Sequence, residues 1–287
     1  MSVTPPADLR ARAEAASAHL PPLILSAQRL AALIAPGAHG LRRAGPGEDF
    51  WQYRPAQPGD SARSIDWRRS ARSDARFVRD REAQTAQAVS LWVAGGPGMA
   101  WSGAPDRPSK QTRAQVLALS LALVLLRGGE KVGLAGGDPA RAGRAQGERL
   151  AQELLLYPAD DTPPADAARP GQRLVLIGDF LTPVQPLLDH IARAAALGLR
   201  GVVLQVLDPD EETFPYAGAV LFQAPGGAAR HDTRDAAGLR AEYMARLAQR
   251  RADIGAACAA AGWRFGTHDT AAAPAQALMW LYQMLEG

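Results

Sequence analysis

GPGEDFWQYRPAQPGDSARSIDWRRSARSDARFVRDRE, residues 45–82, is the stretch on which the reading of this chain turns. It sets Phe50, Trp51, Tyr53, Trp67 and Phe77 among eight arginines and a series of turn formers. Pro58-Gly59-Asp60 and Ser73-Asp74 are turn signals. They divide it into three short strand candidates, Phe50–Arg54, Arg63–Trp67 and Arg76–Arg79. Its chemistry is that of a structured, charge-laced platform, not of a catalytic centre. The stretch runs directly into the apolar segment Gln87–Ala94, so whatever it builds is joined to the main sheet.

The net charge of +3 has its address here. Residues 42–82 hold ten arginines and seven carboxylates, and the remaining 22 cations and 22 anions balance. The two signs alternate, which favours a salt-bridged surface over a nucleic-acid arm. At 287 residues the chain holds one large domain or two small ones, and 47% hydrophobic against 21% charged residues make it globular. A single cysteine, Cys258, excludes an internal disulfide and suits a reducing compartment. The first residues, MSVTPPADLRARAEAA, lack the basic-then-apolar order of a secretory signal. The longest apolar run, Val116–Leu126 with Ser120 inside it, falls short of the roughly 20 residues that a membrane span needs. The sequence therefore predicts a cytoplasmic protein.

Upstream, Ala7–Ala16 and Leu23–Ile34 read as two short helices, broken by Pro21-Pro22 and ended by Pro36-Gly37. Downstream, strands alternate with helices. Ala88–Ala94 is nearly continuous in apolar residues, as a strand buried on both faces should be. Thr112–Arg127 is a helix with Thr112 as N-cap and Gly128-Gly129 as its stop. Strand Lys131–Ala135, helix Gln146–Tyr157, a Pro- and Asp-rich loop at Pro158–Gly171, strand Arg173–Gly178 and helix Val184–Leu197 follow. Strands Gly201–Leu207 and Ala219–Gln223, helix Ala236–Ala261, strand Trp263–Thr267 and helix Ala273–Leu285 complete the chain. This alternation predicts an α/β fold, a doubly wound parallel sheet with right-handed crossovers. The domain plan is N-terminal helices at 1–40, an Arg-rich β subdomain at 41–84 and an α/β domain at 85–287.

Several signatures coincide within that plan. PGD (58–60), Arg63 and IDWRRSAR (65–72) precede an apolar strand, IGDF (177–180) ends another, and DPDE (208–211) with Phe214-Pro215 follows a third. On these motifs the chain resembles the bacterial "domain of unknown function 58" family. That family's pattern runs R-x-Y-x-P-G-D-x-x-R-x-I-D-W-[RK]-x-S-A-R before a von Willebrand factor A-like domain. Ala56 departs from it, standing where the pattern has tyrosine. The resemblance implies a von Willebrand factor A-like (Rossmann-like) core whose ligands bind at the carboxyl ends of the strands. It also implies partnership with a MoxR-type AAA ATPase in a chaperone-like or complex-maturation role.

In metal-binding domains of this type the first strand ends in Asp-x-Ser-x-Ser, and later loops add a Thr and an Asp around magnesium. Here Ala94, Gly96 and Gly98 stand at the Asp and Ser positions, and Asp179 matches the later acidic one. One carboxylate does not make the octahedron of hard oxygens that magnesium requires, so the sequence predicts a degenerate metal site and no cofactor. Asp179 is expected to cap a helix or satisfy loop amides. Asp208-Pro209-Asp210-Glu211 is expected to form a turn with capped amides. Cys258, in an Ala-rich helix, reads as a small core residue.

No G-x-x-x-x-G-K-[ST], H-E-x-x-H or G-x-S-x-G occurs, and the five histidines show no ligand spacing. The motif leaves Arg54, Gly59, Asp60, Arg63, Asp66, Trp67, Arg68, Arg69 and Arg72 as candidates for partner binding. On a strand, Asp66 and Arg68 would share one face and Trp67 take the other. Trp67 would then pack on the α/β domain, and Asp66 would pair with Arg63 or Arg72. An exposed arginine face would suit a partner's carboxylates. The reading is a non-enzymatic interaction module, with the binding of an anionic polymer or membrane surface by the Arg-rich subdomain as the alternative.

Overall fold

The structure is a computed structural model that describes residues 6–34, 41–44, 50–57, 61, 65–71, 76–85, 87–156, 161–164, 169–224 and 230–286. The chain divides into two compact units, residues 38–87 and residues 1–37 with 88–287.

In chain order the larger unit has α1 (Pro6–Ala31), β4 (Ala88–Val93), α3 (Lys110–Arg127), β5 (Lys131–Leu134), α4 (Arg144–Leu156) and β6 (Gln172–Gly178). It continues with α5 (Gln185–Ala196), β7 (Arg200–Leu207), α6 (Pro209–Thr213), β8 (Val220–Gln223) and β9 (Arg230–Thr233). It closes with α7 (Ala236–Ala260), β10 (Arg264–Asp269) and α8 (Pro274–Glu286). Five strands form one sheet in the order β10-β7-β6-β4-β5, every neighbouring pair parallel. Strand order reverses between β4 and β6, and in such sheets ligands bind in the crevice outside the carboxyl ends at that point. β8 and β9 form a separate antiparallel pair.

The apolar run within α3 is explained by its place. Leu117, Ala118, Leu119, Leu121, Ala122, Val124 and Leu125 are all buried, because α3 lies on the sheet while α1, α4 and α8 cover its other sides. A helix apolar all round belongs inside a protein. The right-handed crossovers place α5 and α7, which pack on each other, over the opposite face.

The N-terminal expectation needs correction. Pro6–Ala31 is one helix, with Pro21 and Pro22 inside it, and it groups with the α/β unit instead of forming a body of its own. An interior proline costs a helix about 3 kcal/mol. The cost is offset by a buried stripe, Leu23, Ala27, Leu30, Ala31 and Ile34, packed in the main core. Two smaller differences concern α3 and β9. Ser109, not Thr112, is the N-cap of α3, its Oγ accepting from the Thr112 amide at 3.2 Å. β9 has few apolar residues and gave no strand signal.

The smaller unit is a three-stranded antiparallel sheet, β1 (Leu41–Ala44), β2 (Phe50–Pro55) and β3 (Phe77–Thr85), with β3 in the middle. Of the strand expected at Arg63–Trp67, only residues 65–67 are described, and they do not continue as one. Ile65 makes a single bridge to Val78, and Trp67–Ser70 is a helical turn, α2.

Candidate functional site

The IDWRRSAR motif builds a latch onto β3. Asp66 ends the extended segment and caps α2, its Oδ1 accepting the Arg69 amide at 3.0 Å. Ser70 Oγ donates to the Asp66 carbonyl at 2.8 Å and accepts the Phe77 amide at 2.9 Å. The Asp66 amide in turn donates to the Phe77 carbonyl at 2.8 Å, and the Arg69 guanidinium lies over the Phe77 ring at 5.3 Å. Trp67, expected to be packed, is 57% exposed, and Arg68 is exposed as well. The face-sharing argument fails for these residues because they start a helix instead of lying on a strand. Arg54 lies on β2, paired with Val78. Gly59, Asp60, Arg63 and Arg72 lie outside the described residues.

The other site lies at the carboxyl ends of β4, β6 and β7. β4 gives way to Ala94, Gly95 and Gly96 and then to a 3-10 turn over Pro97–Ala100. The Ala94 amide is held by the Ile177 carbonyl at 2.8 Å. A Cβ on Gly96 would lie 1.5 Å from Asp161 Oδ1, so a side chain there would require the Asp161 carboxylate to turn aside. A Cβ on Gly98 would lie 3.2 Å from Asp179 Oδ2.

Beside these loops stands a cation that the sequence reading missed. Lys110, at the start of α3 and 1% exposed, donates from Nζ to Asp179 Oδ2 at 2.7 Å and to Glu211 Oε1 at 2.6 Å. Asp179 also accepts the Leu181 amide at 3.3 Å, as expected of a carboxylate serving loop amides. Burial is the chief influence on Glu211 and raises its pKa, against the pull of Lys110 and of the Asp208 amide. Lys110 is one of two lysines in the chain, the other cations all being arginine. That choice was the available signal, because an ammonium is a compact point charge on a flexible stem and a guanidinium is a planar fork, so the two are not interchangeable.

The acidic DPDE segment is spent on structure, in a short helix instead of a plain turn. Asp208, fully buried, caps α6 and forms a capping box with Glu211. Its carboxylate also takes the Gly103 amide at 3.1 Å, the Thr270 hydroxyl at 3.3 Å and an ion pair with Arg107 at 3.2 Å. Three strand-end loops are thus tied to one side chain. Arg107 pairs with Asp210 at 3.0 Å, and Arg251 makes a bidentate pair with Glu212. Among the described residues two non-glycines have positive φ, Phe180 at 49° and Phe214 at 46°, and both lie on this rim. Such backbone costs roughly 1–3 kcal/mol and clusters where function is built.

These loops enclose a cleft of about 840 Å³. Its acidic side carries Asp161, Asp179, Asp210 and Glu211. Phe214, Tyr216, Phe222 and Tyr243 form the aromatic side, Phe214 meeting the other three rings at centroid distances of 4.8–5.6 Å. The Tyr243 hydroxyl donates to the Glu211 carbonyl at 2.8 Å, fixing this wall to the acidic one. The residues at the metal positions do not fit magnesium: Ala94, Gly96 and Gly98 offer no side-chain oxygen, and Asp179 is bound to the chain's own ammonium. Among the described residues no three His, Cys, Asp or Glu are grouped to hold a metal. Cys258 is buried, and burial pushes its thiol up to about 12.

A family model described as "Protein of unknown function DUF58" matches residues 52–253. Uncharacterised proteins of Mycobacterium tuberculosis and Mycobacterium bovis are each 30% identical over 236 residues, covering 73% of this chain and 71% of theirs. Among solved structures, an aerotolerance-related membrane protein of Bacteroides fragilis is 15% identical, with a TM-score of 0.41 over 70% of this chain and 98% of that one. The conserved hypothetical protein BatB of Bacteroides thetaiotaomicron is also 15% identical, at 0.39 over the same shares. An uncharacterised membrane spanning protein of Vibrio fischeri, 12% identical, scores 0.18 over 68% and 96%. The first and third are described as membrane proteins, and the cytoplasmic placement read from the sequence is withdrawn. That reading rested on the lack of an apolar span, which does not decide what a chain associates with. Among the described residues, no helix is long and apolar enough to cross a membrane.

Proposed function

The chain belongs to the DUF58 family, and from that premise we propose that it is a non-enzymatic interaction module with a von Willebrand factor A-like core that docks a MoxR-type AAA ATPase. The docking surface in this reading is the rim at the carboxyl ends of β4, β6 and β7. One observation carries it: the ammonium of Lys110, clamped between Asp179 and Glu211, lies beside the loop where a metal-dependent domain holds its ion. The rim is thereby held together by the chain's own charges. Asp208 ties its loops, and the carboxylates that hydrolytic chemistry would call on serve as caps and ion-pair partners. A surface fixed in this way is suited to recognition, since ordering costs are met before a partner arrives.

Co-expression with MoxR-type AAA ATPases, followed by affinity capture, tests this. A complex that weakens with salt and with rim substitutions is expected, because exposed charges are screened beyond roughly 8 Å at physiological ionic strength. Reversal at Arg68 and Arg69, in the other unit, tests the smaller unit's share. If no ATPase is retained at any salt concentration, the partnership is wrong.

A further inference from the structure

The smaller unit carries an exposed tryptophan on a turn that is otherwise tightly bonded. We propose that Trp67, with Arg68 beside it on α2, anchors an acidic segment of a partner protein in which a carboxylate stands next to an apolar side chain. This goes beyond the rim reading and concerns the other unit of the chain.

Three observations converge. The first is apolar surface left in water. Trp67 is 57% exposed, and among the described residues of 38–87 it is the one large hydrophobic side chain so exposed. A covered tryptophan buries about 150–250 Å², so much of that area remains for a second molecule to cover. Among the described residues, its indole and the exposed guanidinium of Arg68 enter no hydrogen bond, ion pair or ring contact.

The second is that the pair is fixed before a partner arrives. The Asp66 carboxylate, two residues from Arg68, is turned to the Arg69 amide at 3.0 Å. Ser70 Oγ joins the Asp66 carbonyl, at 2.8 Å, to the Phe77 amide, at 2.9 Å, and the Arg69 guanidinium lies over the Phe77 ring. α2 is thereby locked to β3, and the ordering of its backbone is met on folding instead of on binding. Tryptophan and arginine are also the residue types enriched among those that dominate the binding energy of protein interfaces.

The third decides what is recognised. Residues 42–82 hold ten arginines against seven carboxylates, so an acidic segment approaches a net positive field. The guanidinium of Arg68 presents a planar fork of donors that matches a carboxylate, and the indole beside it gives apolar contact to a neighbouring side chain. A lipid surface is less suited to this patch. Interfacial binding draws on a whole apolar helix face, and here one apolar side chain stands out from a turn of four residues.

Three fluorescein-labelled peptides, identical except for a central Glu-Phe-Glu, Lys-Phe-Lys or Glu-Ser-Glu, are titrated with the full chain and followed by anisotropy. The Glu-Phe-Glu peptide is expected to bind at least about tenfold more tightly than either of the others, and more weakly as salt rises. Trp67→Ser removes the ring and Arg68→Gln the charge, both at exposed positions, and each is expected to weaken that peptide about tenfold. Thermal unfolding shows that the fold persists, and if one variant fails to fold, the other decides. Arg246→Gln, which removes an exposed arginine from α7 in the larger unit, is expected to leave the affinity within about twofold. Equal binding of the three peptides, no binding of the Glu-Phe-Glu peptide up to millimolar concentration, indifference to a folded Trp67 or Arg68 variant, or an equal loss on Arg246→Gln overturns the proposal. Co-sedimentation with vesicles of equal parts phosphatidylcholine and phosphatidylglycerol tests the lipid surface. Binding to the vesicles that Trp67→Ser abolishes and the Glu-Phe-Glu peptide does not displace also overturns the proposal, because the occupant is then a membrane. Retention or loss of an ATPase complex at the rim leaves this assignment unchanged, since the peptides report on Trp67 and Arg68 alone.

Discussion

Lys110 holds together two carboxylates from different strand ends. Removing one member of a buried ionic cluster leaves the others unpaired, at a cost of about 3–5 kcal/mol. Lys110→Met is therefore expected to lower the unfolding free energy by about that much. Arg107→Ala, at a pair 19% exposed on the arginine side, is expected to cost less. Urea denaturation of the two variants checks the order, and a smaller loss at Lys110 would mean that the cluster does not hold the rim. Asp179 was legible in the sequence because it follows an apolar strand, whereas its partner was not. The two are 69 residues apart, and Lys110 is 101 from Glu211, so only the tertiary fold brings them together.

Two histidines make a second prediction at this scale. Burial holds His190 and His268 at about 4, with the positive charges of Arg193 and Arg113 respectively adding to the effect, while Asp269 opposes it at His268. Both therefore stay neutral in the folded chain, while the unfolded chain takes up protons below about pH 6.5. The unfolded state binds more protons across that window. Stability is complete above pH 6.5 and falls as the pH drops towards 4. Both ring nitrogens of His190 lack a hydrogen-bond partner and face burial without compensation. His190→Leu is expected to flatten the loss between pH 6.5 and 4, as read from denaturant midpoints at several pH values. An unchanged slope would place the acid sensitivity elsewhere.

At the scale of elements, α2 shows how one motif was recognised in sequence and misread in structure. IDWRRSAR is the distinctive feature of the sequence, and the turn signals at Pro58-Gly59-Asp60 and Ser73-Asp74 predict a strand between them. Asp66 is a strong capping residue, and with Ser70 it starts a helical turn held to β3 through the Phe77 amide and carbonyl. Cap chemistry here decides the local structure over so short a segment. Asp66→Ala is expected to cost about 0.5–2 kcal/mol, the usual range for a lost N-cap, with Asp66→Asn close to the parent. Equal losses for Ala and Asn would show that the carboxylate charge, and not the cap, is what matters. The long strands and helices of the α/β unit were legible because each has a continuous apolar run or stripe bounded by glycine or proline. β9, mostly polar, had neither.

At the scale of the whole molecule, the chain order hides which parts belong together. Residues 38–87 stand in sequence between α1 and β4, yet α1 groups with the α/β unit. In sequence, Pro21-Pro22 predicts two short helices and the domain plan sets residues 1–40 apart. The decisive term is burial. Leu23, Leu30 and Ile34 sit in the main core against α3 and α4, and Arg127 on α3 donates to the Ala31 carbonyl at 3.1 Å. Burying each large aliphatic side chain contributes about 1.5–3 kcal/mol. Three of them approach the whole net stability of a domain, about 5–15 kcal/mol. Loss of α1 would also expose the outer side of α3, which is apolar on every face. A chain lacking residues 1–34 is therefore expected to lose cooperative unfolding and near-ultraviolet circular dichroism and to bind a hydrophobic dye, while keeping much of its secondary structure. A synthetic peptide of residues 6–34 added in trans should restore the cooperative transition in proportion to its concentration. If the shortened chain instead unfolds cooperatively at the parent's midpoint without the peptide, α1 is an appendage and the core is complete without it.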